Sequence, residues 1–127
     1  MKGVFEALKF GGDGLIPAII ADAKSRQPLI LCYMNREALE KTLETGKIHV
    51  FRRSKGRLMM KGETSGHIEV VKEVRVDCEG NSLLFYVEQR VAACHAGYFS
   101  CYYRKFNAEK GTWETVEERV FDPDEVY

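Results

Sequence analysis

Four cysteines, three histidines and one dense group of cations are the side chains of this 127-residue chain best suited to chemistry. Cys94 and Cys101 enclose the segment Cys94-His95-Ala96-Gly97-Tyr98-Phe99-Ser100-Cys101. On a helix that spacing sets two sulfurs about 10 Å apart along the axis. Two thiolates on one tetrahedral zinc lie roughly 3.8 Å apart. Shared ligation therefore needs a loop or a bent segment, and Gly97 permits one. The spacing is wider than that of a zinc-finger pair, so a metal site, a disulfide and two buried thiols all fit it. Cys32 lies in the apolar run Leu29-Ile30-Leu31-Cys32-Tyr33-Met34 and reads as core packing. Cys78 lies in Val76-Asp77-Cys78-Glu79-Gly80-Asn81, at a strand end. Asp77, Glu79 and Asn81 alternate there as in a hard-cation loop. An ordinary polar turn has the same composition, and the local pattern favours the turn.

Arg52, Arg53, Lys55, Arg57 and Lys61 place five cations in ten residues, and Gly62-Glu63-Thr64-Ser65-Gly66-His67 follows. Small residues offer backbone N–H groups and hydroxyls, while arginine and lysine supply charge. That combination suits phosphate recognition, although most such runs are solvated loops. Lys+Arg and Asp+Glu are both 19, so the net charge is zero. A general nucleic-acid binder is disfavoured by that balance, because such proteins are usually basic overall. The concentration of cations is more telling for it, since acid gathers elsewhere, at Glu114, Glu117, Glu118, Asp122, Asp124 and Glu125. His49 lies in a β-like run and reads as structural. His67 closes the small-residue loop and is a functional candidate. His95, beside Cys94, suits metal ligation or acid–base work near neutral pH.

The elements that position these groups are mostly strands. Residues 15–21 and 28–33 form a hairpin across polar 22–27. Asn35 caps a helix over Arg36–Thr45, which Gly46 ends, with Ala38, Leu39, Thr42 and Leu43 facing inward. Residues 48–52 and 57–60 make a second pair of strands. Residues 68–76 and 82–87 make a third, turning at Glu79-Gly80-Asn81. Residues 101–106 and 112–120 make a final hairpin around 107–111. Strands dominate without βαβ alternation. The expected class is α+β, mainly antiparallel sheet with one or two helices, in one compact domain over residues 1–127. A 45% hydrophobic content argues against disorder. The N-terminus lacks the apolar run of a signal peptide, and the longest apolar stretch is far short of the ~20 residues of a membrane span. The chain reads as soluble and cytoplasmic, where cysteines serve metals or reactivity more than disulfides.

Taken together, Gly56-Arg57-Leu58, Lys61-Gly62-Glu63-Thr64-Ser65-Gly66-His67, Asp77-Cys78, Ala93-Cys94-His95 and Ser100-Cys101 resemble the phosphoribosyl-AMP cyclohydrolase family of histidine biosynthesis. Tyr33-Met34-Asn35-Arg36-Glu37-Ala38-Leu39 and Thr42-Leu43-Glu44-Thr45-Gly46 fit as well. The resemblance spans roughly two thirds of the chain, from Pro17 to Arg104. It implies an intertwined homodimer in which Cys78, Cys94 and Cys101 hold zinc, Cys78 coming from the opposite subunit. It implies magnesium at an Asp-Cys-Asp-x-Asp pattern, from which Asp77-Cys78-Glu79-Gly80-Asn81 departs, so affinity here should be lower. Ala96 and Phe99 depart from a polar residue and an arginine common in the family, and Met59 from a common tryptophan. Many members carry a fused C-terminal pyrophosphohydrolase domain, for which a chain ending at Tyr127 leaves no room.

The implied activity is hydrolysis of the N1–C6 bond of phosphoribosyl-AMP by zinc-activated water. His95 is the first candidate for the acid–base group and His67 the second. Arg53, Lys55, Arg57, Lys61, Thr64 and Ser65 are candidate phosphate contacts, with Arg104 as a further one. The rivals are a zinc deaminase, a non-catalytic zinc module binding a nucleotide or partner, and a disulfide-stapled binding domain. The first lacks the His-x-Glu and Pro-Cys-x-x-Cys signatures, and the last is disfavoured by the missing secretion signal.

Overall fold

Apolar residues spaced two apart on strands build the central sheet. The structure is a computed structural model that describes residues 2–63, 65–90, 94 and 96–126. Its elements run α1 (Lys2–Glu6), β1 (Ile16–Asp22), β2 (Pro28–Met34), α2 (Arg36–Thr45), β3 (His49–Arg52), β4 (Arg57–Met60), β5 (Glu69–Val76), β6 (Leu83–Gln89), β7 (Arg104–Asn107), β8 (Thr112–Thr115) and α3 (Pro123–Val126). Four strands pair in the order β2-β1-β6-β5, while β3–β4 and β7–β8 are separate two-stranded sheets.

One face of the large sheet carries the core. Ile16, Ala18 and Ile20 on β1, Leu83, Phe85 and Val87 on β6, and Leu29 on β2 are buried with Ala38 and Leu39 of α2 and Ile48 and Val50 near β3. The period-2 alternation puts Ile19 of β1 on the other face, opposite Leu31 of β2. Both stay exposed, at 41% and 42%.

Helix α2 forms where its caps predict. The Asn35 side chain accepts from the Ala38 N–H at 2.8 Å, and Gly46, at φ 73°, donates its N–H to Thr42 O. Buried Thr42 joins helix to strand: its Oγ1 donates to Ala38 O and accepts from the His49 N–H at 2.9 Å. His49 is structural, its Nδ1 lying 2.8 Å from Lys47 O.

Three expectations are corrected. Among the described residues there are three helices rather than one or two; α1 and α3, with only five and four residues, show no period-3.6 stripe by which the sequence could announce them. The strands expected over 101–106 and 112–120 shorten to Arg104–Asn107 and Thr112–Thr115. The Cys101 N–H goes instead to Leu29 O, and Val120 donates to Gly97 O, so both ends leave the hairpin for other partners. Most pairings are antiparallel as expected, but β1 and β6 run parallel, Ala18 facing Leu83. Strands so far apart in sequence leave no local signature of pairing. Among the described residues no helix is long and apolar enough to cross a membrane.

One ladder matters for the site. Ile48 accepts from the Lys61 N–H at 2.8 Å and donates to Glu69 O at 3.1 Å, so Lys61, Ile48 and Glu69 lie side by side.

Candidate active site

Cys94 and residues 96–101 lie on a bent loop. Cys94 O accepts from the Gly97 N–H, the Cys94 N–H donates to Tyr98 O, and Cys94 Sγ accepts from the Ala96 N–H at 3.4 Å. Gly97 sits at φ 99°, and a Cβ there would lie 2.5 Å from Phe121 O, so only glycine fits. Ser100 is fully buried, and its hydroxyl donates to Pro28 O at 2.7 Å while accepting from the Tyr102 N–H. With the Cys101 N–H on Leu29 O at 2.7 Å, the loop is bolted to the start of β2.

This bend brings Cys94 and Cys101 near enough to act on each other electrostatically. All four cysteines are free thiols, so the disulfide reading of the pair is not what the chain adopts. Burial first, and then the neighbouring Cys94, push the Cys101 thiol up to about 12. A cation is the group that lets such crowded sulfurs ionise. The pair therefore suits a soft metal ion by donor type. Cys78 does not join it: it is exposed at the β5–β6 turn. Among the described residues no three His, Cys, Asp or Glu side chains gather as a metal cage.

That turn is organised by Asp77. Its carboxylate accepts from the Asn81 and Ser82 N–H groups and from the Ser82 hydroxyl at 2.9 Å. Desolvation pushes the other way, but these hydrogen bonds hold Asp77 below the usual carboxylate range. Glu79 and Asn81 are exposed. Gly80 O accepts from the Lys9 N–H, docking the segment after α1.

The basic segment forms the β3–β4 hairpin. Lys55 and Arg57 are exposed at its tip, and the Arg53 guanidinium lies 4.1 Å above the Tyr33 ring. Lys61 is half-buried in the wall of a cavity of about 310 Å³, with Ile30, Cys32, Tyr33, Phe51 and Arg52. A second cavity, of about 290 Å³, is lined by Cys101, Tyr102, Arg104 and Trp113. Lys61's charge reaches Cys101, Cys32 and Glu69. The loop beyond Lys61 closes at Gly62, where a Cβ would lie 2.5 Å from the His67 carbonyl carbon. Ser65 Oγ accepts from the His67 N–H. His67 is buried and packs edge-on against Phe121, 4.7 Å between centroids. The Phe121 N–H in turn meets Gly97 O at 3.4 Å, so His67 stands one ring away from the cysteine loop. Thr64 and His95 lie outside the described residues.

Two residues of this neighbourhood were missed or underread. Cys32 packs against the core as expected but also borders the cavity, and burial raises its thiol to about 12. Glu69 is wholly buried and was not singled out. In sequence it is one acid in the β-rich run Ile68-Glu69-Val70-Val71, a pattern that solvent-facing strand positions share.

The sequence model of phosphoribosyl-AMP cyclohydrolase matches residues 30–103. A phosphoribosyl-AMP cyclohydrolase of Methanosarcina barkeri is 55% identical over 97% of this chain and 91% of its own length. One from Salinibacter ruber is 47% identical over 98% and 96%. The histidine biosynthesis bifunctional protein HisIE of Thermoanaerobacter pseudethanolicus is 42% identical over all of this chain, which spans 58% of that relative.

Proposed function

This chain belongs to the phosphoribosyl-AMP cyclohydrolase family, and we propose that it hydrolyses the N1–C6 bond of the adenine ring of phosphoribosyl-AMP, a step of histidine biosynthesis. The observation that carries this reading is the Cys94–Cys101 thiol pair, held beside a cavity that Arg104 also lines and within the field of Lys61. It puts a soft-metal donor pair next to groups suited to an anionic nucleotide.

The reaction adds water across one bond. An oxygen bonds to C6, the N1–C6 bond breaks, and the proton lost by water goes to N1. We assign His95 to that proton, with His67 as the second candidate because it is buried one ring from the cysteine loop. Lys61, together with Arg53 over Tyr33, receives phosphate, and Lys55, Arg57, Thr64 and Ser65 complete the basic hairpin and loop. The apolar and aromatic walls beside Lys61, from Ile30, Tyr33 and Phe51, exclude water from the bound nucleotide.

Zinc is assigned to Cys94 and Cys101 with Cys78 of the partner subunit. When bound, it supplies Lewis acidity that makes water a usable nucleophile near neutral pH. The exposure of Cys78, away from the pair in its own chain, supports ligation across a homodimer. So does the exposed apolar patch of Ile19 and Leu31 on the outer sheet face. Asp77, Glu79 and Asn81 fit magnesium poorly, since the Asp77 carboxylate already serves the turn, and no step is derived through that ion. The reaction is placed in the cytoplasm.

The test is direct. The purified chain, assayed for metal, is incubated with phosphoribosyl-AMP while ring opening is followed by absorbance. Near one zinc per subunit and turnover are expected. Zinc-loaded protein that leaves the ring closed would refute the activity, and ring opening by zinc-free protein would refute the metal. His95→Ala should cut turnover about 10²–10⁴-fold while keeping zinc.

A further inference from the structure

The β7–β8 hairpin carries aromatic side chains that the fold does not bury. Trp113 is the chain's only tryptophan and is 69% exposed. So open a position is unusual for an indole, whose large apolar area favours burial. The register sets Phe106 opposite Trp113 and Arg104 opposite Thr115, so by the period-2 alternation Arg104, Phe106 and Trp113 share one face of the hairpin. Arg104 is the diagonal neighbour of Trp113, a separation that long side chains span. Phe106 is tilted at 56° to the indole, with centroids 5.3 Å apart, and does not stack flat on it. Tyr98 and Tyr103, by contrast, lie 3.8 Å apart at 10° and cover each other. Among the described residues no acid pairs with Arg104.

Trp113 and Arg104 line the cavity of about 290 Å³ that Cys101 and Tyr102 complete. The hairpin is braced at both ends. Val116 donates its N–H to Tyr103 O at 2.9 Å, and at the turn Asn107 Oδ1 accepts from the Glu109 and Lys110 N–H groups. Trp113 thus stands on a fixed ladder that begins three residues beyond Cys101. The volume is at the small end of ligand sites, the size for one part of a nucleotide rather than the whole. An indole gives a purine ring a surface to stack on, and a guanidinium suits the charge that such a ring carries in a nucleotide. We propose that Trp113 is a specificity-determining residue, the surface on which the substrate's purine ring stacks beside Cys101. The proposal rests on the reading that the chain opens the adenine ring at the cysteine pair. It divides the substrate between two cavities, the base in this one and a ribosyl phosphate against Lys61. Both cavities meet the same stretch of β2, since Leu29 O accepts from the Cys101 N–H and Ile30 lines the Lys61 cavity.

With a single tryptophan, the intrinsic fluorescence of the full-length protein reports on this one side chain. AMP is the probe, and ribose 5-phosphate is the control that keeps the phosphate and lacks the base. Saturable quenching by AMP and none by ribose 5-phosphate is expected. Calorimetry then compares wild type, Trp113→Phe and Trp113→Ala. Trp113→Ala should bind AMP about 5–100-fold more weakly, the scale of one base–aromatic stack, and Trp113→Phe should recover most of that loss. Affinity for ribose 5-phosphate should be the same in all three. Fluorescence indifferent to saturating AMP, no AMP binding, unchanged AMP affinity in Trp113→Ala, or an equal loss for ribose 5-phosphate would each overturn the proposal. So would a lower mass of Trp113→Ala in sedimentation, which would make the indole a contact between copies of this chain. If AMP behaves as expected while phosphoribosyl-AMP stays unopened, the stacking surface stands and the hydrolase reading falls. Ring opening by Trp113→Ala with wild-type kcat and KM would keep the hydrolase reading and remove the stacking surface.

Discussion

A carboxyl sealed inside a protein without a partner makes stability depend on pH, and Glu69 is such a group. Burial raises it from the ordinary glutamate range to about 7. Because the folded value lies above the unfolded one, the fold loses stability as pH rises between them, and the loss is complete above about 7. Glu69→Gln should therefore raise stability by up to about 3 kcal/mol at pH 8 and by little at pH 4, which urea unfolding at the two pH values would show. An unchanged difference would mean that the carboxyl finds a partner. Gly97 is the opposite kind of residue, defined by what cannot be there. Gly97→Ala meets both a left-handed φ and the Phe121 carbonyl, and should cost about 1–3 kcal/mol in a urea titration while loosening the Cys94–Cys101 loop. Sequence alone named both cysteines and the glycine, because residue type and spacing state the chemistry available. It passed over Glu69, because a lone acid in a strand looks the same whether it faces water or the interior.

At the scale of elements, local signals decided most of what forms. Asn35 and Gly46 bracket α2 at the residues expected, since a cap satisfies backbone groups that the helix itself cannot. Asn35→Ala should lower stability by about 1 kcal/mol, read as a shift of the urea midpoint with an unchanged slope. The consequence reaches the site, because Thr42 of α2 holds His49 at the start of β3, next to Ile48 between Lys61 and Glu69. The β7–β8 hairpin shows where local reading fails. Its apolar and β-branched residues run well past both strand ends, yet Ser100, Cys101 and Val120 have better-placed partners in residues 28, 29 and 97. Competition between a short-range ladder and long-range hydrogen bonds is invisible until both are in space.

Over the whole molecule, the assigned ligand set spans two chains, and this can be tested without a crystal. Cys78→Ser and Cys101→Ser should each be inactive alone. Mixed and allowed to exchange, they should recover about a quarter of wild-type activity, because half the dimers are hybrids and each hybrid keeps one intact site. No recovery, with hybrid dimers demonstrated by mass spectrometry, would place all the ligands in one chain. The exposed Ile19 and Leu31 patch is the surface on which such a dimer would draw.

Sequence by itself determined the inventory: the sulfur donors and their spacing, the cation-rich hairpin, the capped helix, the boundaries of five strands to within a residue or so, and the α+β class. These depend on residues close together in the chain, where spacing translates into geometry through fixed backbone dimensions. Tertiary structure alone decided that β1 lies parallel to β6, that Ser100 and Cys101 dock on β2, that Cys94 meets Cys101 while Cys78 stays apart, and that Glu69 is enclosed near Lys61. Each of those outcomes joins segments distant in sequence, and they are settled by which partners pack and pair best once the chain has collapsed.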